Sequence, residues 1–268
     1  MRASHITCAA VAACLLLQGC GGSAFILPQV SEHEALVAAR ETGVDPDLPK
    51  FPRGAAYYRD AIRRVGAELI WDVDPICTRA KTADCHFHFH YMADNEVNAF
   101  TDENGDIYLH RGLLDYLQSD DEIACVMAHE MGHQIAGHVE ETKRSAVLGG
   151  LIGGLLMGGA AVAGGSTQEE ADELAAQGMY YGGTIGMLTF SKEQEREADL
   201  LGAYVLARAG YDLDRAGNMF EVLAKLDDKV VASWKDTHPA GPERVVAWRK
   251  AMAEVRASKD QLPSLADP

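Results

Sequence analysis

Basic residues are scarce in this chain. Its 24 Lys and Arg stand against 40 Asp and Glu, a formal net charge of −16. A nucleic-acid surface needs Lys and Arg to replace the counterions of a phosphate backbone, and a polybasic membrane-surface binder needs the same residues, so the balance argues against both. Proline is scarce as well, with nine in 268 residues, and 47% of the residues are hydrophobic. That composition belongs to a globular chain and not to a disordered one. No internal repeat stands out, and the length suits one domain with room for a tail or an insertion.

The first twenty residues, MRASHITCAAVAACLLLQGC, carry one Arg, then an apolar run from Val11 to Leu17, then small residues. This is the pattern of a signal peptide, too short to span a bilayer as a mature helix. It ends in Leu17-Gln18-Gly19-Cys20, which resembles a bacterial lipobox, where the Cys is acylated and becomes the new N-terminus. Gln18 departs from the small residue usual at that place. By resemblance to lipoprotein sorting, Gly21 after the Cys favours the outer membrane. Acyl chains would tether the domain, each buried methylene contributing about 0.8 kcal/mol. The expected organisation is a signal peptide at 1–19, a tether and N-terminal arm at 20–50, and a domain at 51–260. Export also implies an oxidising compartment, so Cys77 and Cys85, flanking a short polar loop, are a candidate disulfide, with two free thiols as the alternative.

Along the chain, SEHEALVAARE has a helical pattern inside the arm, and a helix is expected from about Arg53 to Trp71. HFHFHYM, residues 86–92, alternates strictly and predicts a strand. Glu96 to Phe100 continues the sheet, TDENGD is a turn with Gly105 at a positive φ, and IYLH returns as another strand. Ser119-Asp120-Asp121-Glu122 predicts a capping box that opens a helix running to about Ser145. The next stretch, VLGGLIGGLLMGGAAVAGG at 147–165, is uncharged, and eight of its nineteen residues are Gly. It reads as an insertion packed on the domain, or as a flap that touches membrane or substrate. Thr167 to Glu170 caps a further helix ending near Gly178, Ser191 to Gln194 caps another reaching about Ala209, and two more are expected at 213–227 and 242–257. The fold class is α+β and mostly helical, with a small sheet.

Inside the helix that starts near residue 120 lies HEMGHQIAGHVEE. His129 and His133, four apart, stand one above the other on one helical face, so both imidazoles can reach a single ion. Zinc takes such nitrogens, needs a third protein ligand, and leaves a fourth position for water. Glu130 is turned about 100° from His129, beside the metal and not on it, where it can take a proton from that water. On a continuing helix His138 lies roughly 180° round from His129 and is read as a packing or surface residue. Cys125 shares the His129 stripe, but it is about 12 Å along the axis from His133 and is read as core. The third ligand is sought in SKEQEREADLLGAY, where Glu195 and Asp199 share a helical face. Glu195 completes a two-His, one-Glu site, and Asp199 orients a ligating imidazole through its other nitrogen.

HEMGHQIAGH, SKEQEREAD, THPAGPER and the upstream NEVNAFTDENGDIYLHRGLL together resemble the HtpX and CAAX-prenyl-protease type of zinc metallopeptidase, closest to its soluble exported bacterial members. The resemblance spans roughly residues 55–255. It implies a zincin-like (gluzincin) domain with an active-site helix pair, one Zn²⁺ per chain held by His129, His133 and Glu195, and Glu130 as catalytic base. It also implies endopeptidase activity, in which Glu130 assists attack of a zinc-bound water on the peptide carbonyl. His238 and Arg244 match the family's HPxxxxR segment and are candidates for the cleft. The integral-membrane members carry several spanning helices. None is convincing in this sequence, which argues against prenyl-peptide cleavage and favours unfolded or misassembled envelope proteins as substrate, with the outer-membrane assembly machinery as a candidate partner. The strand at Asn98–Phe100 or at Ile107–His110 is a candidate for pairing with an extended substrate. Two rivals stand beside this reading. One is a proteolytically silent chaperone or scaffold of the same fold. The other is a metal-binding protein using His86, His88 and His90 on the 86–92 strand.

Overall fold

The structure is a computed structural model. It describes residues 23–45, 47–82, 85–187 (the backbone alone for 181–187), 190–226, 230, 232, 234, 238 and 241–266. The signal peptide and the acylation candidate Cys20 lie outside the described residues.

Two central helices carry the site. Helix α5 spans Asp120–Ala136 and α8 spans Lys192–Arg208. Both start where short polar side chains satisfy first-turn amides. The Ser119 hydroxyl accepts from the Glu122 amide, and Ser191 accepts from Gln194, whose own side chain returns a bond to the Ser191 amide. At α5 the box is only half made, because the Glu122 carboxylate accepts from the Gln118 amide instead. The two helices touch backbone to backbone. A Cβ on Gly132 would lie 2.4 Å from the Ala198 carbonyl oxygen, and one on Gly202 would lie 3.1 Å from the Ala128 carbonyl. Only glycine at the first of these positions lets α5 and α8 approach so closely.

Around this pair, α2 (Ala55–Ile70) packs against α5, and both helices pack on the buried face of a three-stranded sheet, where Phe89 meets Gly66 of α2 and lies beside Met127 of α5. The sheet holds β1 (His88–Met92), β2 (Ala99–Thr101) and β3 (Asp106–His110) in the order β1-β3-β2. The hairpin β2–β3 is antiparallel and turns at Gly105 with φ +78°, where a Cβ would meet the His86 carbonyl. Strand β1 pairs with β3 in parallel, His90 opposite Tyr108. Ala99, Ile107 and Leu109 point into the core. Because β3 is paired on both sides, Ile107–His110 has no free edge for substrate. Asn98–Phe100, at the β2 edge beside α5, is the segment that remains.

The chain departs from the expected helix boundaries at glycines. Helix α5 stops at Gly137 (φ +75°) and does not run to Ser145; the next helix, α6 (His138–Ala163), starts afresh in a new direction. The helix expected at 213–227 is broken at Gly217 into α9 (Leu213–Ala216) and α10 (Asn218–Lys225). The Gly-rich stretch is helical, and α6 forms an antiparallel hairpin with α7 (Gln168–Met187). The remaining helices are α1 (Glu32–Glu41), α3 (Asp74–Ala80), α4 (Arg111–Leu114) and α11 (Pro242–Ala257). Cys77 and Cys85 are joined, with Cα atoms 6.2 Å apart. The arm does not merely tether: Phe25 and Leu27 are buried in the core, and Phe25 bridges to Leu265.

The Gly132 contact has a direct test. Gly132→Ala forces the new methyl against a backbone oxygen that cannot swing away, and overpacking of this kind costs about 1–3 kcal/mol. Urea unfolding should show a midpoint lowered with an unchanged slope, whereas Gly43→Ala, where a Cβ meets nothing within 4 Å, should leave the midpoint nearly unmoved.

Candidate metal centre

Helix α5 presents His129 and His133 toward α8, which presents Glu195 back. His238, after α10, enters the same space. All four are buried, and one ligand atom from each lies within 4.8 Å of the others. His129 Nε2 is 3.2 Å from His133 Nε2 and 3.3 Å from His238 Nδ1. Glu195 Oε1 is 3.2 Å from His133 Nε2 and 3.0 Å from His238 Nδ1, and its Oε2 is 3.5 Å from His129 Nε2. Donors on a tetrahedron with bonds of 2.0–2.1 Å stand about 3.3 Å apart, so this set has the spacing zinc requires. Two Nε2 atoms facing each other without a carbonyl or water between them are poor mutual partners, and a cation at their centre resolves the conflict. The residues fit the metal.

Their protonation fits as well. Burial pushes the His133 imidazole well below its ordinary range, which keeps it a neutral donor. Burial alone would raise the Glu195 carboxyl, but Arg244 and His238 outweigh it and hold it well below the usual carboxylate range. Burial likewise opposes charge on His238, yet Glu195 and Glu130 outweigh that and raise it. Zinc ligands must be deprotonated, and the first two arrive so.

Behind the ligands lies a second tier. Asp199 Oδ1 is 2.8 Å from His129 Nδ1, so the carboxylate fixes that ring with Nε2 facing the centre. Arg244 grips Asp199 through two bonds, Nε to Oδ2 at 2.9 Å and Nη2 to Oδ1 at 2.6 Å, and its Nη1 lies 2.7 Å from Glu195 Oε2. One buried guanidinium thus pairs with two buried carboxylates and offsets part of their charge. Arg244 supports the ligands from behind, and it is His238 of the HPxxxxR segment that reaches the centre.

His133 is held by a side chain read from the sequence as mere packing. With the helix ended at Gly137, His138 turns back over the site and is buried. Its Nδ1 is 3.0 Å from His133 Nδ1, its Nε2 is 3.1 Å from Glu197 Oε2, and Glu197 Oε1 accepts the Ala24 amide at 2.9 Å. His138 is therefore a support for the second ligand and not a surface residue. The local clue was Gly137, a residue that favours the left-handed cap. Phe190 and Trp234 also escaped the sequence reading. Phe190 stacks on His133 with centroids 3.9 Å apart, and Trp234 stacks on His238 at 4.5 Å, walling the centre from water.

Glu130 is fully buried on the same side as His238, and both carboxylate oxygens lack a hydrogen-bond partner. Its nearest cation is His238 Nε2, 3.5 Å from Oε1, and burial raises its pKa. An unpartnered buried acid is costly and marks a place where another polar group belongs. Cys125 is a buried free thiol whose pKa burial also pushes well up, and it takes no part. His86, His88 and His90 are exposed, and among the described residues they do not form a group able to share one ion.

The profile of Peptidase family M48 matches residues 61–252. The chain belongs to that family. The matched span contains His129, Glu130, His133, Glu195, His238 and Arg244. The chain is 30% identical over 191 residues to a beta-barrel assembly-enhancing protease of Escherichia coli K12, a match covering 68% of this chain and 37% of that relative. It is 32% identical over 163 residues to metalloprotease LoiP of the same organism, covering 61% of each chain. A mitochondrial metalloendopeptidase from Arabidopsis thaliana is 32% identical over 170 residues, covering 62% of this chain and 31% of its own length. The chain thus spans about a third to three-fifths of the curated relatives it matches.

The His138 arm of the second tier yields a prediction. His138→Ala should weaken zinc binding about 10- to 100-fold in chelator competition, with the far-UV spectrum unchanged. His138→Asn, which keeps a polar group near His133, should recover part of that loss, and Val139→Ala on the neighbouring position should change nothing.

Proposed function

We propose that the protein is a zinc-dependent endopeptidase of the bacterial cell envelope that cuts unfolded or misassembled polypeptides. The observation that carries this is the unpartnered, buried Glu130 carboxylate set beside a four-donor cluster with zinc spacing. The names of two relatives, a beta-barrel assembly-enhancing protease and a metalloprotease, agree with it and make the outer-membrane assembly machinery a candidate partner. Lipid attachment through Cys20 at the periplasmic face of the outer membrane belongs to the same reading. So does a structural disulfide between Cys77 and Cys85 in that oxidising compartment.

His129, His133 and Glu195 would hold the zinc ion, which when bound would supply Lewis-acid polarisation of a carbonyl and a water of lowered pKa. The chain's own groups do the rest. Glu130, its affinity for protons raised by burial, accepts the proton of the attacking water and returns it to the leaving amine. Asp199 and the His138–Glu197 pair keep both imidazoles oriented. His238 would take the fourth position on a bound ion and it covers Glu130, so the arrangement would be a resting one. Catalytic sites keep that position open, so His238 must withdraw before a peptide enters, and once displaced it is available to donate to the developing oxyanion. An extended substrate adds to the β2 edge beside α5, which aligns its backbone across the centre.

The closed centre also suits a proteolytically silent scaffold, and one experiment separates the two readings. Wild-type protein, Glu130→Gln and Glu195→Ala are compared for bound zinc and for cleavage of casein. Wild type should hold one zinc and cut, Glu130→Gln should keep the zinc with kcat lowered at least a thousandfold, and Glu195→Ala should lose both. If wild type cuts no faster than Glu130→Gln while holding zinc, the scaffold reading replaces this one.

A further inference from the structure

The α6–α7 hairpin is built inside out for a water-soluble element. Its buried interface is made of Ala146, Gly150, Gly154 and Ala161 from α6 against Ala171 and Gly178 from α7. The fit there is close: a Cβ on Gly154 would strike Met179, and one on Gly178 would lie 2.2 Å from the Gly153 carbonyl oxygen. Large apolar side chains are turned outward instead. Val147 is 65% exposed, Leu151 51%, Leu155 76%, Leu156 60% and Val162 59%. A hairpin folded by water would hide those side chains and show the small ones. Small residues between helices and large ones outside is how helices pack where the surroundings are themselves apolar.

Length and charge agree. Among the described residues α6 is the one helix long and apolar enough to cross a membrane, and its most apolar window is only 28% buried, unlike a core helix. No charged residue lies between Arg144 and Glu169, nor between Glu173 and Lys192. Ser145 to Ala163 rises about 27 Å as a helix, close to the roughly 30 Å of a bilayer's hydrocarbon layer. Lys143 and Arg144 stand at one end of this band, and Glu169, Glu170, Asp172 and Glu173 at the other. The outward side chains also spread over about half the circumference of α6, at 100° per residue, where a docked helix would need only a stripe.

We propose that the α6–α7 hairpin inserts its apolar band into a lipid bilayer. The hairpin joins α5 to α8, so it leaves the domain directly after the two imidazole ligands and returns directly before Glu195. Insertion therefore fixes the metal centre against the membrane surface at two points of its own scaffold, independently of any acyl chain on Cys20.

The test reads the hairpin locally, in the full mature chain. An environment-sensitive fluorophore is attached at Leu155→Cys or, on the body of the domain, at Arg63→Cys. The protein without an added cysteine supplies the background. Phosphatidylethanolamine–phosphatidylglycerol vesicles are then added, with or without acyl chains bearing a nitroxide. The expected result is a blue shift at position 155 with at least twofold quenching by the nitroxide, and neither change at position 63. Adding Leu151→Asn and Leu156→Asn should abolish both responses while leaving bound zinc and the circular dichroism spectrum as they were. Unchanged emission at position 155 in vesicles overturns the proposal. A shift that instead needs no vesicles and grows with protein concentration also overturns it, and assigns the face to a second copy of the chain. Zinc content and casein cleavage are read separately, so failure here leaves the endopeptidase reading intact.

Discussion

The contact between the backbones of α5 and α8 at Gly132 is the constraint on which the site depends. His129 and His133 come from one helix and Glu195 from the other, and their donor atoms reach 3.2–3.5 Å only because nothing larger than hydrogen stands between the helices at that crossing. The glycine inside HEMGH is thus as much a part of the metal centre as the residues on either side of it.

That closeness gathers charge in a dry place, and Arg244 makes it tolerable. Glu195 and Asp199 are both 1% exposed, and two uncompensated carboxylates at such depth would be strongly destabilising. The guanidinium on α11 contacts both. Glu130 is the exception. It lies in the same buried space without a bonded partner, and burial raises its pKa where the same burial is overcome for Glu195. Two carboxylates in one buried space thus differ in their affinity for protons because of what stands next to each, a difference that suits the ligand and base roles proposed for them.

Features set by local periodicity were legible in the sequence, and those set by a change of direction were not. Helical spacing put His129 and His133 on one face, and the Ser191 box announced the helix that carries Glu195 and Asp199. Strict alternation announced β1, but alternation does not name a partner, and the parallel pairing of β1 with β3 came as new information. His138 is buried and is not among the donors, but its contact with His133 was not legible because the helix was extended past Gly137; the left-handed cap there turns the chain and changes which face each later residue shows. The HPxxxxR segment was recognisable, but the division of labour within it was not, since whether an Arg meets a substrate or a buried acid depends on contacts far away in sequence. Phe190 and Trp234 carried no signal, as an isolated aromatic looks the same in a sequence whether it walls a site or merely covers a surface.

The centre draws its parts from almost the whole length of the chain. The Ala24 amide holds Glu197, Ala24 is itself tied to Ala266, and the guanidinium that pairs with Glu195 and Asp199 arrives only at residue 244. Both helices that carry His129, His133 and Glu195 therefore precede, along the chain, the helix that completes the site. Until α11 docks, Glu195 and Asp199 lack their counter-charge, and long-range closures of this kind form late in folding. A segment holding α5 and α8 but not α11 therefore has the side chains of the cluster and no guanidinium to pair with their carboxylates, so the centre is the last part of the fold to close.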